Sequence, residues 1–341
     1  MYALFRRLLF ALEPENAHLL TLFLVRLAGN LPPSRWLLEA RYAAPQKPVE
    51  VFGVKFKNPI GLAAGYDKDG IAIRGLAALG FGHIEIGTVT PLPQPGNQKP
   101  RLFRLVEDEA IINRMGFPGR GADFVARHVS SVTHRPSSVI LGINLGKNKD
   151  TPLEEAASDY IALLQHFMGL ADYLAINVSS PNTVGLRRLQ GRDMLEGLLG
   201  AIAKERETIA LGRGGHKPVL VKLAPDLTDD ELDDALDVIL RTGMDGIIAT
   251  NTTLGREVLI SHHQAETGGL SGRPLRVRCE AVLDKVLKRL DGRLPVISVG
   301  GIMSPEDALR RLDMGAALVQ LYTGLVYAGP GLVRKIVKSL P

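Results

Sequence analysis

The chain has 341 residues, of which 45% are hydrophobic, and its formal net charge is +5. A chain of this length can bury one large hydrophobic core or two modest ones. The lysines and arginines are scattered, without the long basic run of a nucleic-acid-binding arm, so no nucleic-acid partner is predicted. A single cysteine, Cys279, excludes an internal disulfide and a metal cage built from cysteines.

Residues 1–40 are predicted to form two amphipathic helices. Apolar positions 4, 5, 8, 9 and 12 share one helical face, and Leu20, Phe23, Leu24 and Leu27 repeat the same pattern in the second helix. These faces either pack on the rest of the protein or lie in a membrane interface. Because a domain with its own complete core does not need an extra apolar hairpin, we favour a membrane-associating extension, followed by a domain over residues 41–341.

Eight short apolar runs rich in β-forming residues alternate with segments of helical periodicity. The runs are residues 59–65, 83–89, 139–145, 173–179, 218–224, 246–251, 295–301 and 318–324. Near-continuous apolarity is typical of strands that are covered on both faces. Eight such units predict an α/β fold, a (β/α)8 TIM barrel. The alternative is a doubly wound open sheet, but the glycine fingerprint that usually follows its first strand is missing.

Three further segments are predicted from their positions around the barrel. Residues 91–118 form a long insertion after the second run and contain a hairpin at 102–113, and residues 253–275 form another insertion after the sixth run. Long connections on the carboxyl side of barrel strands build lids and pockets. A small hairpin at 49–59 is expected to close the opposite, amino end of the barrel.

Polar residues gather where the predicted strands end, which is where barrels of this kind place their sites. They are Lys68, Thr88, Asn144, Asn177, Ser180, Asn182, Lys222, Thr250, Asn251, Thr252, Gly300, Gly301, Tyr322, Thr323 and Gly324. The last five follow the seventh and eighth strands, where backbone amides commonly bind phosphate. The set lacks the carboxylate pair of a glycosidase and the histidine cluster of a metallohydrolase. It suits a planar polar substrate beside a cofactor, with no metal.

Several segments are similar to signature segments of the dihydroorotate dehydrogenases, and the resemblance runs from about residue 1 to residue 340. The segments are GLAAGYDKDG, INRMGFPGRG, INVSSPNTVGLR, VKLAPD, ATNTT, TGGLSGRPL, SVGGI and QLYTG. The extension and Ser180 resemble the membrane-associated, quinone-reducing class 2. The resemblance implies FMN as cofactor and oxidation of dihydroorotate to orotate in pyrimidine biosynthesis, with a membrane quinone as final electron acceptor. It also implies a peripheral protein that contacts the cytoplasmic face of the bacterial inner membrane through residues 1–40.

The resemblance also implies roles for individual residues. The residues expected to bind substrate are Lys68, Asn113, Arg114, Met115, Gly116, Phe117, Asn177, Asn182, Asn251 and Thr252. The residues expected to bind the cofactor are Ala63, Ala64, Gly65, Tyr66, Asp67, Lys68, Thr88, Asn144, Asn177, Lys222, Thr250, Gly272, Gly301, Tyr322 and Thr323. Within this second set, Gly272, Gly301, Tyr322 and Thr323 are expected at the phosphate and its tail.

Ser180 is expected to be the catalytic base. Some relatives use a cysteine for this step, but Cys279 lies in a helical segment far from any strand end. A serine is a weak base unless a neighbouring field or a proton relay assists it, and Lys68 and Thr183 are the candidates for these two parts. Ser179 is expected to point away from the site if the strand pleat persists.

The residues by themselves leave three functions open. The first is the flavin- and quinone-dependent dehydrogenase, which we favour. The second is a barrel lyase or isomerase that uses the phosphate site for its substrate, and the third is a non-catalytic membrane-binding module. His262 and His263 lack a third ligand at suitable spacing, so they are predicted to lie in a solvated loop.

Overall fold

The computed structural model describes residues 2–132, 139–213 and 216–341. Within these residues the helices are α1 (Tyr2–Ala11), α2 (Pro14–Asn30), α3 (Pro32–Tyr42), α4 (Ile73–Ala78), α5 (Ala122–Ser131), α6 (Ala156–Phe167), α7 (Arg192–Arg213), α8 (Asp229–Arg241), α9 (Arg276–Leu290), α10 (Pro305–Asp313), α11 (Thr323–Ala328) and α12 (Leu332–Ser339). Short 3-10 helices span Leu186–Gln190, His262–Ala265 and Arg273–Leu275.

The strands in the same residues are β1 (Val49–Val51), β2 (Val54–Phe56), β3 (Ile60–Leu62), β4 (His83–Val89), β5 (Leu102–Leu105), β6 (Ala110–Asn113), β7 (Ile140–Leu145), β8 (Tyr173–Asn177), β9 (Val219–Leu223), β10 (Gly246–Ala249), β11 (Gly269–Gly272), β12 (Val296–Val299) and β13 (Leu318–Leu321). Eight of them close a barrel in the order β3-β4-β7-β8-β9-β10-β12-β13. All neighbouring pairs in the barrel are parallel. The predicted (β/α)8 barrel is therefore confirmed.

The amino end of the barrel is closed by large rings. The predicted hairpin is present as β1 and β2, and Phe56 on β2 packs edge-on against His83 inside the barrel. Glycines on neighbouring strands leave room for such rings: a Cβ on Gly61 would lie 2.0 Å from His83 Nε2, and one on Gly142 would lie 2.1 Å from Tyr173 Cζ. Burial lowers the pKa of His83 to about 3, so this ring fills space as a neutral group.

The two insertions meet in a second sheet over the carboxyl end of the barrel. The predicted hairpin is confirmed as β5 and β6, and β11 from the second insertion pairs antiparallel with β6. Strand β11 was missed because its sequence, GLSG, has low intrinsic strand propensity. Pairing with β6 decides its conformation, and this pairing ties both insertions into one three-stranded lid.

The N-terminal extension has three helices, so the prediction of two was wrong. Leu31 adopts an extended backbone after α2, and α3 restarts at once with prolines in its first turn. Proline cannot continue a helix because it lacks the N–H group, but it is well suited to a first turn. Helix α3 ends at Tyr42, slightly beyond the boundary proposed at residue 40.

Only part of the apolar surface of the extension packs on the barrel, where Leu22 of α2 is buried in the main core. Leu8 is 67% exposed and Phe23 is 56% exposed, whereas α2 packs on α4 through small residues. A Cβ on Gly29 would lie 2.2 Å from the backbone nitrogen of Gly75, so the two helices touch backbone to backbone. No helix in the described part of the chain is both long and apolar enough to cross a bilayer.

We expect Gly142→Ala to lower the free energy of unfolding by about 1–3 kcal/mol, because the added methyl group overpacks the barrel against the Tyr173 ring. The matched control is Gly197→Ala on α7, where nothing lies within 4 Å of the new Cβ. Alanine there should stabilise the protein by roughly 0.5–1 kcal/mol. Urea unfolding of both variants measures the difference. Equal unfolding free energies would contradict the packing of the rings.

Candidate active site

A cleft with an empty volume of about 1010 Å³ opens at the carboxyl ends of the barrel strands, beneath the three-stranded lid. Most residues predicted from the sequence line it. They are Ala63, Ala64, Gly65, Lys68, Thr88, Asn113, Met115, Gly116, Phe117, Asn177, Ser180, Asn182, Lys222, Thr250, Asn251, Thr252, Gly272, Gly301, Tyr322 and Thr323. Strands and loops far apart in the sequence therefore converge on one polar space.

A chain of hydrogen-bonded amides forms the floor of the cleft. Asn144 Nδ2 donates to Glu85 Oε1 at 2.9 Å, and Asn144 Oδ1 accepts from Thr88 Oγ1 at 2.6 Å. Asn177 Nδ2 donates to Thr88 Oγ1 at 2.8 Å and to Asn144 Oδ1 at 3.1 Å. Asn251 Nδ2 continues the chain by donating to Asn177 Oδ1 at 3.2 Å. Because a carboxylate can only accept, the contact with Glu85 orients the amide of Asn144.

The carboxylate of Glu85 lies inside the barrel among several donors. Its Oε2 accepts from Tyr173 Oη at 3.1 Å and from Gln320 Nε2 at 2.8 Å. Lys222 Nζ lies 3.8 Å from Glu85 Oε1 and reaches the floor of the cleft. Burial lowers the pKa of Lys222, and the charge of Glu85 opposes that shift. The pair thus keeps a cation at the cleft floor that burial alone would discourage.

A second pair of amides faces the cleft from the loop side. Asn182 Nδ2 donates to Asn113 Oδ1 at 2.9 Å, which joins the loop after β8 to the lid. The Oδ1 atom of Asn182 is buried and has no hydrogen-bond partner in the described residues. Since a buried acceptor without a donor is costly, this oxygen is suited to receive an N–H group from a ligand.

Ser180 and Ser179 have opposite environments, as the strand pleat predicts. Ser180 lines the cleft and is 5% exposed, and its Oγ accepts the backbone N–H of Asn182 at 3.2 Å. Ser179 is fully buried, and its hydroxyl donates to Asn177 Oδ1 at 3.3 Å. Thr183 Oγ1 nearby is buried and without a partner among the described residues.

Lys68 and Cys279 differ in their access to the cleft. Lys68 lines it and donates from Nζ to the carbonyl oxygen of Gly65 at 2.7 Å, and burial lowers the pKa of Lys68 to about 8. Cys279 lies on α9, fully buried, with its Sγ 3.1 Å from Thr250 Oγ1. Burial raises the pKa of the Cys279 thiol, so this residue is a poor candidate for a base.

The far end of the cleft is built from glycine turns. Gly300 and Gly301 have φ angles of 109° and 74°, and a Cβ on Gly301 would lie 2.3 Å from Arg276 Cα. Both the backbone conformation and the lack of space require glycine here. Helix α11 starts beside them at Thr323, and its first N–H groups have no partner within the helix. This end is suited to a phosphate group.

Four predicted binding residues lie outside the surface of the cleft. Asn144 is fully buried in the amide chain beneath it, and the carboxylate of Asp67 accepts the N–H groups of residues 71 and 72 before α4. Tyr66 packs edge-on against His18 and Tyr322 towards the extension. Arg114 turns outward to Glu266, at 2.6 Å. Each of these side chains already contacts other groups of the protein, and a role of the four residues in ligand binding stays a prediction.

The sequence analysis missed the buried polar residues below the floor. Glu85 lies in the apolar run HIEIGTV and Gln320 lies in LVQLYTG. A carboxylate and an amide within otherwise apolar strands were the signals that could have found them, since buried polar groups need partners. Ser271 on the missed strand β11 also lines the cleft, and its Oγ lies 2.8 Å from Thr323 Oγ1.

A second cavity lies between the extension and the barrel. It has an empty volume of about 2030 Å³, and helices α1 to α3 form much of its mainly apolar wall. Tyr322 lines both this cavity and the polar cleft. His18 and Tyr66 also line it, and burial lowers the pKa of His18 to about 3. The two spaces are therefore separated by little more than the side chains near Tyr322.

The described residues contain no group of three or more histidines, cysteines or acids that could hold a metal ion. His262 and His263 lie in a short 3-10 helix with ring centroids 3.9 Å apart. His263 also packs against Phe103 of the lid.

Comparison with known proteins gives one consistent similarity. The family model for dihydroorotate dehydrogenase matches residues 47–341. A dihydroorotate dehydrogenase (quinone) of Halorhodospira halophila is 50% identical, over 99% of this chain and 97% of that protein. Its counterpart in Aeromonas hydrophila is 48% identical over the full length of both chains. The crystal structure of a dihydroorotate dehydrogenase from Eimeria tenella in complex with ferulenol superposes with a TM-score of 0.87 and 40% identity, covering 95% of this chain and 90% of that chain.

Proposed function

The chain belongs to the dihydroorotate dehydrogenase family, and from that premise we propose that it oxidises dihydroorotate to orotate and passes the electrons to a quinone. The family assignment favours the dehydrogenase over the two alternative functions, a barrel lyase or isomerase and a non-catalytic membrane-binding module. One observation carries the proposal: neutral amides, the buried side chain of Lys222 and a glycine-built phosphate end line the same cleft.

The family implies a flavin, and we propose FMN in particular. The glycine turns at Gly272 and Gly301, with Thr323 at the start of α11, would hold its phosphate. The part of the cleft lined by Ala63 to Gly65 and by Lys222 would hold its ring system. When bound, this group supplies the two-electron acceptor that no side chain can provide. The cation of Lys222 favours negative charge beside it.

The amides of the cleft are suited to a dihydropyrimidine ring. Such a ring offers two N–H donors and two carbonyl acceptors, and asparagine side chains can match both types. Asn182 Oδ1 supplies an acceptor that lacks a donor in the described residues, and Asn113 and Asn251 supply further amides. Lys68 supplies a cation for the substrate carboxylate. Analogues that lack the ring N–H groups would leave these amides unpaired, which gives strong discrimination.

Ser180 is the group in the cleft that would take the proton. The reaction removes a proton from one ring carbon, and a second hydrogen with two electrons leaves the neighbouring carbon. Asp67 and Glu85 are buried away from the cleft surface, and Cys279 is buried within α9. The hydroxyl of Thr183 has no hydrogen-bond partner in the described part of the chain, and it is suited to relay the proton from Ser180 towards solvent.

We expect Ser180→Ala to slow flavin reduction by dihydroorotate about 10²- to 10⁴-fold, because the variant lacks the general base. Flavin content and dihydroorotate affinity should change little, since the hydroxyl serves the transition state. Anaerobic stopped-flow absorbance measures the reduction rate, and raising the pH should restore only part of it. The matched control is Cys279→Ser, which should reduce at the parental rate. Parental reduction by Ser180→Ala itself would refute the assignment of the base.

We expect Lys222→Ala to make the flavin reduction potential more negative and to weaken flavin retention, because a cation beside the reduced group is lost. The substitution also leaves the buried carboxylate of Glu85 without its cation. A second variant, Lys222→Ala with Glu85→Gln, removes both charges and separates these two effects. Spectroelectrochemical titration measures the potential. An unchanged potential with full flavin occupancy would mean that Lys222 has only a structural role.

We propose that the exposed apolar faces of α1 to α3 lie on the cytoplasmic face of the bacterial inner membrane, and that the quinone enters the second cavity. The exposure of Leu4, Leu8, Leu20 and Phe23 supports this, since these side chains have no barrel surface to pack on. The mainly apolar wall of the cavity suits a quinone, and its contact with Tyr322 brings that quinone near the flavin end of the cleft.

We expect a chain that starts at Tyr42 to lose membrane association and most turnover with long-chain quinones, while small soluble acceptors still reoxidise it. A point variant, Leu8→Glu with Phe23→Glu, should behave in the same way and keeps the rest of the extension. Vesicle flotation and turnover with each acceptor measure the two effects. Full long-chain quinone turnover by the folded truncation would contradict the proposal. Loss of flavin reduction in the point variant would instead favour a packing role for these helices.

A further inference from the structure

Arg187 lies in the 3-10 helix Leu186–Gln190, directly after the loop that carries Ser180. Neither the expected substrate contacts nor the expected flavin contacts include it, and it does not line the cleft. Its side chain is only 21% exposed, and a charged group withdrawn from water needs partners within the protein. Its environment therefore calls for a physical explanation.

The guanidinium of Arg187 joins three loops at the carboxyl end of the barrel. Its Nε donates to the carbonyl oxygen of Ser179 at 3.1 Å, in the loop after β8. Its Nη1 donates to Asp226 Oδ2 at 2.7 Å, in the loop after β9. Its Nη2 donates to the carbonyl oxygen of Thr252 at 2.8 Å, in the loop after β10. A planar fork with fixed donor directions can make these three contacts together, whereas a lysine ammonium cannot.

Asp226 extends the same cluster to the lid side. Its Oδ1 accepts from Thr253 Oγ1 and, at 2.8 Å, from Arg278 Nη1 of α9, and its Oδ2 accepts the N–H of Leu254 at 3.1 Å. Burial opposes the ionisation of Asp226, but the hydrogen bonds from Thr253 and Arg187 outweigh it and lower the pKa of this carboxyl. A charged carboxylate thus holds Arg187 in place over a wide pH range.

The loop after β8 needs such a restraint. Strand β8 ends at Asn177, so Ser179 and Ser180 lie beyond the hydrogen-bonded ladder of the barrel. The contact with the Ser179 carbonyl fixes the peptide unit that leads into Ser180. The contact with the Thr252 carbonyl fixes the backbone of a residue that also lines the cleft.

We propose that Arg187 is a positioning residue for the reaction, which holds the loop of the base Ser180 in register with the loop of Thr252. This rests on the proposed function and goes beyond it, because Arg187 touches neither substrate nor flavin and acts through two backbone carbonyls. The proposal requires the fixed directions of the guanidinium N–H donors and not only the positive charge. A displacement of about 1 Å at a reacting group costs roughly 10²-fold in rate.

The test compares the rate of flavin reduction by dihydroorotate in Arg187→Lys, Arg187→Gln and the parental protein. Anaerobic stopped-flow absorbance measures this rate. Both variants should reduce the flavin at least tenfold more slowly, since neither can bind the Ser179 and Thr252 carbonyls and Asp226 together. Dihydroorotate affinity should weaken by a smaller factor, because the amides of the cleft remain in place. Flavin content and the flavin absorbance spectrum should stay at the parental values, which a general loss of structure would change.

The matched control is Arg188→Lys. Arg188 is the next residue along, is exposed, and donates no side-chain hydrogen bond within the described residues, so its variant should reduce flavin at the parental rate. A parental rate in Arg187→Lys, with a slow Arg187→Gln, would overturn the proposal, because charge alone would then suffice. Parental rates in both would overturn it as well. The assignment of Ser180 as the base is tested separately by the flavin reduction rate of Ser180→Ala. A parental rate there would refute that assignment without changing the interpretation of the Arg187 variants.

Discussion

The polarity of the whole site depends on one buried carboxylate, that of Glu85, at the centre of the barrel. An ionised carboxylate has no N–H or O–H to give, so it orients Asn144 with its Nδ2 inward and its Oδ1 outward. That oxygen then accepts from Asn177, whose own Oδ1 accepts from Asn251. The acceptor at the bottom of the chain thus sets the orientation of Asn144. The orientation of Asn177 and Asn251 agrees with it and is supported locally, because their Oδ1 atoms accept the backbone N–H groups of Ser179 at 3.3 Å and Thr252 at 2.8 Å.

The same carboxylate favours a cation next to the proposed flavin site. Burial lowers the pKa of Lys222, and the nearby charge of Glu85 opposes that shift, so Glu85 favours the ammonium where a reduced flavin would benefit from it. The rings of His83 and Tyr173 seal the barrel underneath, and the neighbouring glycines make space for them. The packing at the amino end therefore supports the chemistry at the carboxyl end. The polar groups around Glu85 lie directly above the His83 and Tyr173 rings, which exclude water from the barrel interior.

The sequence predicted the barrel well because its strands are nearly continuous apolar runs with long helical segments between them. It predicted the cleft residues well because strand ends converge in a barrel, which makes the position along the chain informative. Prediction from the sequence failed where tertiary contacts decide the local conformation or the direction of a side chain. Strand β11 exists only through its pairing with β6, and Tyr66 turns to His18 because the extension is there to receive it. Glu85 was overlooked because its neighbours in the sequence are apolar, and only the assembled barrel supplies its partners.

The extension is joined to the loops of the cleft through a buried ion pair. Glu15 at the start of α2 is buried, and its carboxylate accepts from Arg101 Nη2 at 2.9 Å. Arg101 Nη1 also donates to the carbonyl oxygen of Asn97, at 2.9 Å, and Asn97 Nδ2 donates to the carbonyl oxygen of Asn182, at 3.0 Å. Breaking a buried pair leaves an uncompensated charge, which costs about 3–5 kcal/mol. The helices of the extension are thus connected, through two side chains of the first insertion, to the backbone of a residue that lines the polar cleft. Replacing Glu15 alone, with the rest of the extension in place, would leave the charge of Arg101 without its carboxylate at this junction.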